Sequence, residues 1–147
     1  MVYDHFASKH ALYCELMRML RDELVASAGT SLNERADPAA RFRAAIRHFF
    51  EQVHRDPAIV ELLFVQPRRS PELAQEWQKL EREALAALRP LARALAPKLA
   101  PWKLDVALHL VHHGLNATAT VWPKRTSIDE MSGLVEALLW KGLGSVR

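Results

Sequence analysis

Val2-Tyr3-Asp4-His5-Phe6-Ala7-Ser8-Lys9-His10-Ala11-Leu12-Tyr13 is the stretch from which the rest of the chain can be laid out. It reads as the end of one element and the start of another. Tyr3 and Phe6 are aromatics three apart, suited to one face of a closing helical turn. Ser8 is then a good N-cap, because its hydroxyl can accept from an N–H that has no partner inside the new helix. A helix is therefore expected from Lys9 onward.

From Lys9 to about Ala28, Leu12, Leu16, Met19 or Leu20, and Leu24 recur at helical spacing. Gly29 is expected to end that helix, with Thr30–Asp37 as a polar connection. Three later helices share one start device, a capping residue followed by proline: Asp37-Pro38, Asp56-Pro57 and Ser70-Pro71. Proline at the first helical position loses only an N–H that had no partner. The first runs to about Arg55 with Phe42, Ile46, Phe49, Phe50 and Val53 inward. The second, Pro57 to about Gln66, is short and heavily apolar. The third, Pro71 to about Leu95, carries Leu73, Trp77, Leu80, Leu85, Leu88 and Leu91, and Pro90 inside it should kink or divide it.

Pro97 and Pro101 then force a break, and a helix is expected over Trp102–Val121. The last helix opens on Ser127-Ile128-Asp129-Glu130, a capping box. No strand alternation, hairpin signal or internal repeat is present. The expectation is an all-α chain of six or seven helices. Trp77, Trp102, Trp122 and Trp140 fall within or at the ends of these patterns and read as packing residues.

The bulk numbers agree with one globular domain. The chain has 147 residues, half of them hydrophobic and a quarter charged, with a net charge of +3. Charges alternate in sign, as in Arg21-Asp22-Glu23 and Glu81-Arg82-Glu83, which reads as solvated helix faces rather than a nucleic-acid footprint. A single cysteine, Cys14, excludes an internal disulfide and reads as a packed thiol. No apolar run reaches the length of a membrane span, so no membrane partner and a cytoplasmic location are expected.

Trp102–Val121 is the most informative helix. At about 100° per residue, Asp105, His109, His112 and Asn116 fall in one narrow stripe flanked by His113 and Thr120. The opposite side holds Ala107, Gly114, Ala117, Thr118 and Val121, mostly small, which suits close helix–helix approach. Packing that small side on a neighbour would turn the polar stripe toward the interior. Three readings stay open for the stripe: a solvated or internally bonded face, one wall of a ligand pocket, or a metal site. The i, i+4 pairs His109/His113 and Asp105/His109 suit a shared ion, but no third ligand or His-Glu-x-x-His motif accompanies them. No metal and no cofactor are expected.

There is no Gly-x-Ser-x-Gly elbow, no phosphate-binding glycine loop and no dinucleotide fingerprint, and only five glycines exist to build one. Nothing in the sequence points to an enzyme.

The pattern Tyr-x-His-Phe-x-Ser-Lys-x-x-Leu-Tyr over residues 3–13 closely resembles the end of the DNA-binding region in the tetracycline-repressor (TetR) family of transcriptional regulators. There it closes the recognition helix and opens the helix leading into the ligand-binding domain. The resemblance implies a division into residues 1–7 as a remnant of the DNA-binding domain, 8–28 as a connecting helix, and 29–147 as a ligand-binding and dimerisation domain. It implies phosphate contacts by Tyr3, His5 and Lys9, which position a protein on DNA without reading sequence. It also implies a homodimer through the last two helices, with Gly114, Ala117, Thr118, Val121, Leu134 and Leu138 in the interface. Phe49, Phe64, Trp77, His109, His112 and Asn116 become candidates to line a cavity for a partly apolar small-molecule effector. The base-reading helices lie outside the sequence, so operator DNA is expected as a partner only of a full-length form. The implied function is a ligand-responsive regulator, with repression the expected mode; a stand-alone dimeric helical sensor without DNA binding is the alternative.

Overall fold

The computed structural model describes residues 7–30, 37–122 and 125–144, with side chains at all of these except 24, 27–30 and 140–144. The chain is all-α, and no strand occurs among the described residues. Its elements are α1 (Lys9–Thr30), α2 (Pro38–Arg55), a π-helix (Val60–Val65) running into a short 3-10 turn (Gln66–Arg68), α3 (Pro71–Leu95), α4 (Pro101–Thr120) and α5 (Ile128–Gly144). The opening stretch Val2–Phe6, with Tyr3 and His5, lies outside the described residues, as do the side chains of Leu24, Trp140 and Leu143.

Each capped start forms as the local chemistry dictates. The Ser8 hydroxyl accepts from Ala11 N–H at 3.0 Å, the Asp37 carboxylate from Ala40 at 3.3 Å, and the Ser70 hydroxyl from Leu73 at 3.4 Å. The Asp56 carboxylate accepts from Ala58 N–H at 3.0 Å. The capping box closes in both directions, Glu130 N–H donating to Ser127 Oγ at 3.2 Å and Ser127 N–H to Glu130 Oε2 at 2.9 Å. Pro101, expected only as a breaker, opens α4 at its first residue. α1 runs to Thr30, one residue past Gly29.

One of the two outcomes expected at Pro90 falls away and one helix needs correction. Pro90 does not divide α3, which continues through it to Leu95. Pro90 is exposed, so the carbonyl it leaves without a backbone donor is on the solvent side. The short apolar helix is a π-turn, with Gln66 N–H donating to the Glu61 carbonyl. Pro67 has no N–H for the carbonyl of Leu63, so an α-ladder could not run on there. The wider turn buries the consecutive residues Leu63 and Phe64 together, with Ile59 and Pro67 beside them.

Two clusters make the core. Cys14 and Met17 of α1 meet Val53, Ile59, Leu63, Phe64, Leu73 and Leu80, while Ile46 and Phe50 of α2 pack on Met131 and Val135 of α5. Met17, which no periodic reading singled out, is fully buried, whereas Met19 points to solvent. Burial raises the Cys14 thiol above its ordinary pKa, as expected for a packed, unreactive cysteine. Trp122 anchors the end of α4 on α2, edge-on to Phe50 with centroids 5.3 Å apart, and its indole N–H donates to the Thr126 carbonyl at 3.0 Å.

Ion pairs tie the helices at their rims. Arg18 reaches Glu76 at 2.7 Å and Arg21 reaches Glu83 at 2.9 Å, both joining α1 to α3. Arg47 pairs with Asp129 between α2 and α5, and Arg89 with Asp105 between α3 and α4. Among the described residues, no helix is long and apolar enough to cross a membrane.

Candidate ligand cavity and apolar face

A cavity of about 820 Å³ is walled by residues of all five α-helices and the π-turn. α1 supplies Arg21 and Val25, α2 supplies Phe42, Ile46 and Phe49, and the π-turn supplies Leu63 and Phe64. α3 contributes Trp77, Leu80, Glu81, Ala84 and Leu88, α4 contributes Leu104, Leu108, His112 and Asn116, and α5 contributes Leu139. Most of this wall is hydrocarbon, with a few polar groups gathered where α3 faces α4. That is the usual composition of a small-molecule site.

One side of the wall is a continuous row of rings. Phe49 lies 6.1 Å from Phe64, Phe64 meets Trp77 edge-on at 5.9 Å, and Trp77 stacks on His112 at 6.4 Å. Phe49 also meets Phe50 edge-on at 5.2 Å, which joins the row to the α2–α5 core. The π-turn places Phe64 in this row, between rings of α2 and α3.

The polar end is built from Glu81, His112 and Asn116, with His113 beside it in a shallow outer depression. His112 Nε2 lies 3.1 Å from Asn116 Nδ2 and 3.3 Å from Glu81 Oε1, and His113 Nε2 lies 3.5 Å from the same oxygen. Glu81 Oε1 is buried and accepts no hydrogen bond among the described residues. Burial first, and then the neighbouring imidazoles of His113 and His109, hold the His112 pKa down to about 4. The Glu81 carboxylate pulls the other way, but the loss of hydration prevails for a side chain only 14% exposed.

Five of the six cavity candidates, Phe49, Phe64, Trp77, His112 and Asn116, come together on this wall. His109 does not. It is exposed, stacked on His113 at 6.0 Å, and lies in a shallow outer depression with Asp105, Val106 and Leu110. The polar stripe of α4 therefore straddles the boundary of the interior instead of facing it: His112 and Asn116 are inside, His109 outside, and Asp105 is held at the rim by Arg89. No group of three or more His, Cys, Asp or Glu side chains among the described residues is placed to share a metal ion.

Glu81 and Arg21 are the cavity residues that the charge pattern concealed. Both belong to triplets of mixed charge read as solvated, yet each turns one member inward. The signal was available. Glu81 follows Trp77 by four and precedes Leu88 by seven, which puts it on the inner face of α3. Arg21 follows Met17 by four in the same way, but Met17 was not itself marked as inward by the periodic pattern.

The outer side of α4 and α5 is apolar and uncovered. Trp102, Leu110 and Val121 are 66%, 68% and 72% exposed, and Val106, Leu134 and Leu138 are also open to solvent. Of the candidate interface residues, Gly114, Ala117, Val121, Leu134 and Leu138 are exposed, and Thr118 is half-buried with its hydroxyl donating to the Gly114 carbonyl at 2.7 Å. Trp102, Val106 and Leu110 extend the face beyond what the small residues suggested, and with Leu138 they also line the cavity, which reaches this face. Lys9, the one described residue of the three DNA-contact candidates, is exposed at the start of α1 with its ammonium 5.8 Å from the Tyr13 ring.

Comparison with protein-family models finds no match for the chain, and comparison with curated proteins finds none either.

Proposed function

We propose that this chain is the effector-binding and dimerisation part of a ligand-responsive transcriptional regulator of the tetracycline-repressor kind, acting in the cytoplasm as a repressor. The observation that carries the reading is the apolar cavity of about 820 Å³ with its few polar side chains gathered at one place. The resemblance over residues 3–13 supplies the family, and the uncovered face of α4 and α5 supports pairing with a second copy. A twofold pairing would set that face against itself, with Gly114 and Ala117 allowing close approach.

The effector acts by differential binding. α1 follows the residues that resemble the DNA-binding region, and Arg18–Glu76 and Arg21–Glu83 fasten it to α3, whose inner face lines the cavity. A ligand that seats better against one position of α3 than another shifts the position of α1 with it. It must bind the released arrangement more tightly, or no shift occurs. In a full-length dimer this would change the separation of two recognition helices, whose half-sites lie about 34–36 Å apart on DNA.

Sedimentation of the purified chain, together with uptake of the apolar dye Nile red, tests the reading. A dimer that takes up the dye is expected, and Val121→Glu with Leu134→Glu, exposed and outside the cavity lining, should give monomers that still take it up. A chain that stays monomeric at all concentrations, or a cavity that excludes the dye, would overturn it. Reading the coding region upstream for an in-frame helix-turn-helix tests the link to DNA.

A further inference from the structure

The polar end of the cavity has more acceptor capacity than donors. Nε2 of His112 faces both Asn116 and Glu81, at 3.1 and 3.3 Å. One ring nitrogen cannot serve both fully. When it accepts from the Asn116 amide it carries no proton, and it then turns a lone pair toward the Glu81 carboxylate. When it carries the proton, one hydrogen is divided between two neighbours. Glu81 Oε1 is accordingly buried without a hydrogen bond among the described residues, a costly state for a carboxylate oxygen.

Among the described residues, the basic groups that face this oxygen are the imidazoles of His112 and His113, at 3.3 and 3.5 Å, and neither makes a hydrogen bond to it. Arg21 also lines the cavity, but its charge is paired with Glu83 at 2.9 Å and Asp22 at 3.0 Å, although its Nε is buried without a hydrogen bond among the described residues. Lys103 lies on the first turn of α4, nine residues before His112 and so about 13 Å away along the helix. His112 is held neutral near pH 7, so it supplies no imidazolium. Trp77 and Phe64 line the same cavity as the carboxylate, and aromatic faces attract cations. Acceptor, negative charge and aromatic wall call for the same complement.

We propose that the cavity's ligand is an amphiphilic amine, its hydrocarbon part in the apolar length of the cavity and its protonated nitrogen donating to Glu81 Oε1. This rests on the reading of the cavity as an effector site and adds the chemical class of the effector. Neutral alcohols of the same length supply a donor without charge. Fatty acids set a second carboxylate against Glu81 and could seat only with the head reversed toward Lys103.

Titration calorimetry with dodecylamine, dodecanol and dodecanoate, each below its aggregation concentration, tests the proposal on the intact chain. Dodecylamine is expected to bind roughly tenfold or more tightly than dodecanol, since a hydrogen bond to a charged group is the stronger kind. Glu81→Gln, nearly isosteric, should bring the amine down to the level of the alcohol and leave the alcohol within about twofold. Equal binding of amine and alcohol, tighter binding of dodecanoate, or an amine preference that survives Glu81→Gln would overturn the amine anchor while leaving the effector cavity standing. Binding of none of the three overturns both. Should Glu81→Gln fail to fold, the ranking of the three probes on the unaltered chain decides alone.

Discussion

Glu81 and His112 meet across the α3–α4 boundary with Oε1 and Nε2 3.3 Å apart and each side chain only 14% exposed. Such a pair would ordinarily raise the histidine's pKa, yet burial and the neighbouring imidazoles lower it to about 4. The sign of the resulting pH dependence follows. In the unfolded chain His112 takes a proton near its ordinary value of about 6.5, while the folded chain resists it until about 4. Stability is therefore full above about pH 6.5 and falls as the pH drops toward 4, by at most roughly 3 kcal/mol. Urea unfolding across this range should show a loss that is smaller in His112→Gln. Equal acid sensitivity of the two proteins would rule His112 out as the source.

The capping box at the start of α5 should cost about 1 kcal/mol to remove by Ser127→Ala, read from the urea midpoint. The same change should release Glu130. Its carboxyl is held below the usual range first by the backbone N–H and then by the hydroxyl of Ser127, so its pKa should rise in the variant. Carboxyl titration followed by NMR would show this, and an unmoved Glu130 would mean that the hydroxyl contributes nothing.

Phe50 is fully buried and meets both Phe49 and Trp122 edge-on, at 5.2 and 5.3 Å. Phe50→Ala should cost about 3–5 kcal/mol, because removing a fully buried ring from the α2–α5 cluster loses its transfer energy and leaves a cavity. A loss below about 1 kcal/mol would contradict this packing.

Gly114 separates the properties of one chain from those of an assembly. A Cβ added there meets nothing within 4 Å in the single chain, so Gly114→Ala should stabilise α4 by about 0.5–1 kcal/mol. Where a second copy packs closely on this face, the same methyl should loosen self-association. Unfolding of the dilute protein and sedimentation of the concentrated one are expected to move in opposite directions. Unchanged association would place Gly114 outside the pairing surface.

The local starts of the helices were legible in the sequence because capping chemistry involves residues two to three apart. Ser8, Asp37, Ser70 and the Ser127–Glu130 box each act as their spacing implies. The π-turn at Val60–Val65 was not legible, since a run of apolar residues does not distinguish one hydrogen-bond register from another. A helical wheel gives the angle between Asp105, His109, His112 and Asn116 but not the direction of the interior. The edge of the core falls between His109 and His112, and only the tertiary packing sets it. Glu81 was hidden for a different reason: a mixed-charge triplet describes three residues at once, while a helix turns each of them to a different side.

The uncovered stripe formed by Trp102, Val106, Leu110, Val121, Leu134 and Leu138 bears on what a melting temperature means for this protein. Whatever covers that stripe binds the folded chain and not the unfolded one. Each large apolar side chain it removes from water contributes on the order of 1.5–3 kcal/mol before the costs of association. Where that cover is a second copy of the chain, the melting point becomes a function of protein concentration, and a value measured on a dilute sample describes a different equilibrium from one measured on a concentrated sample.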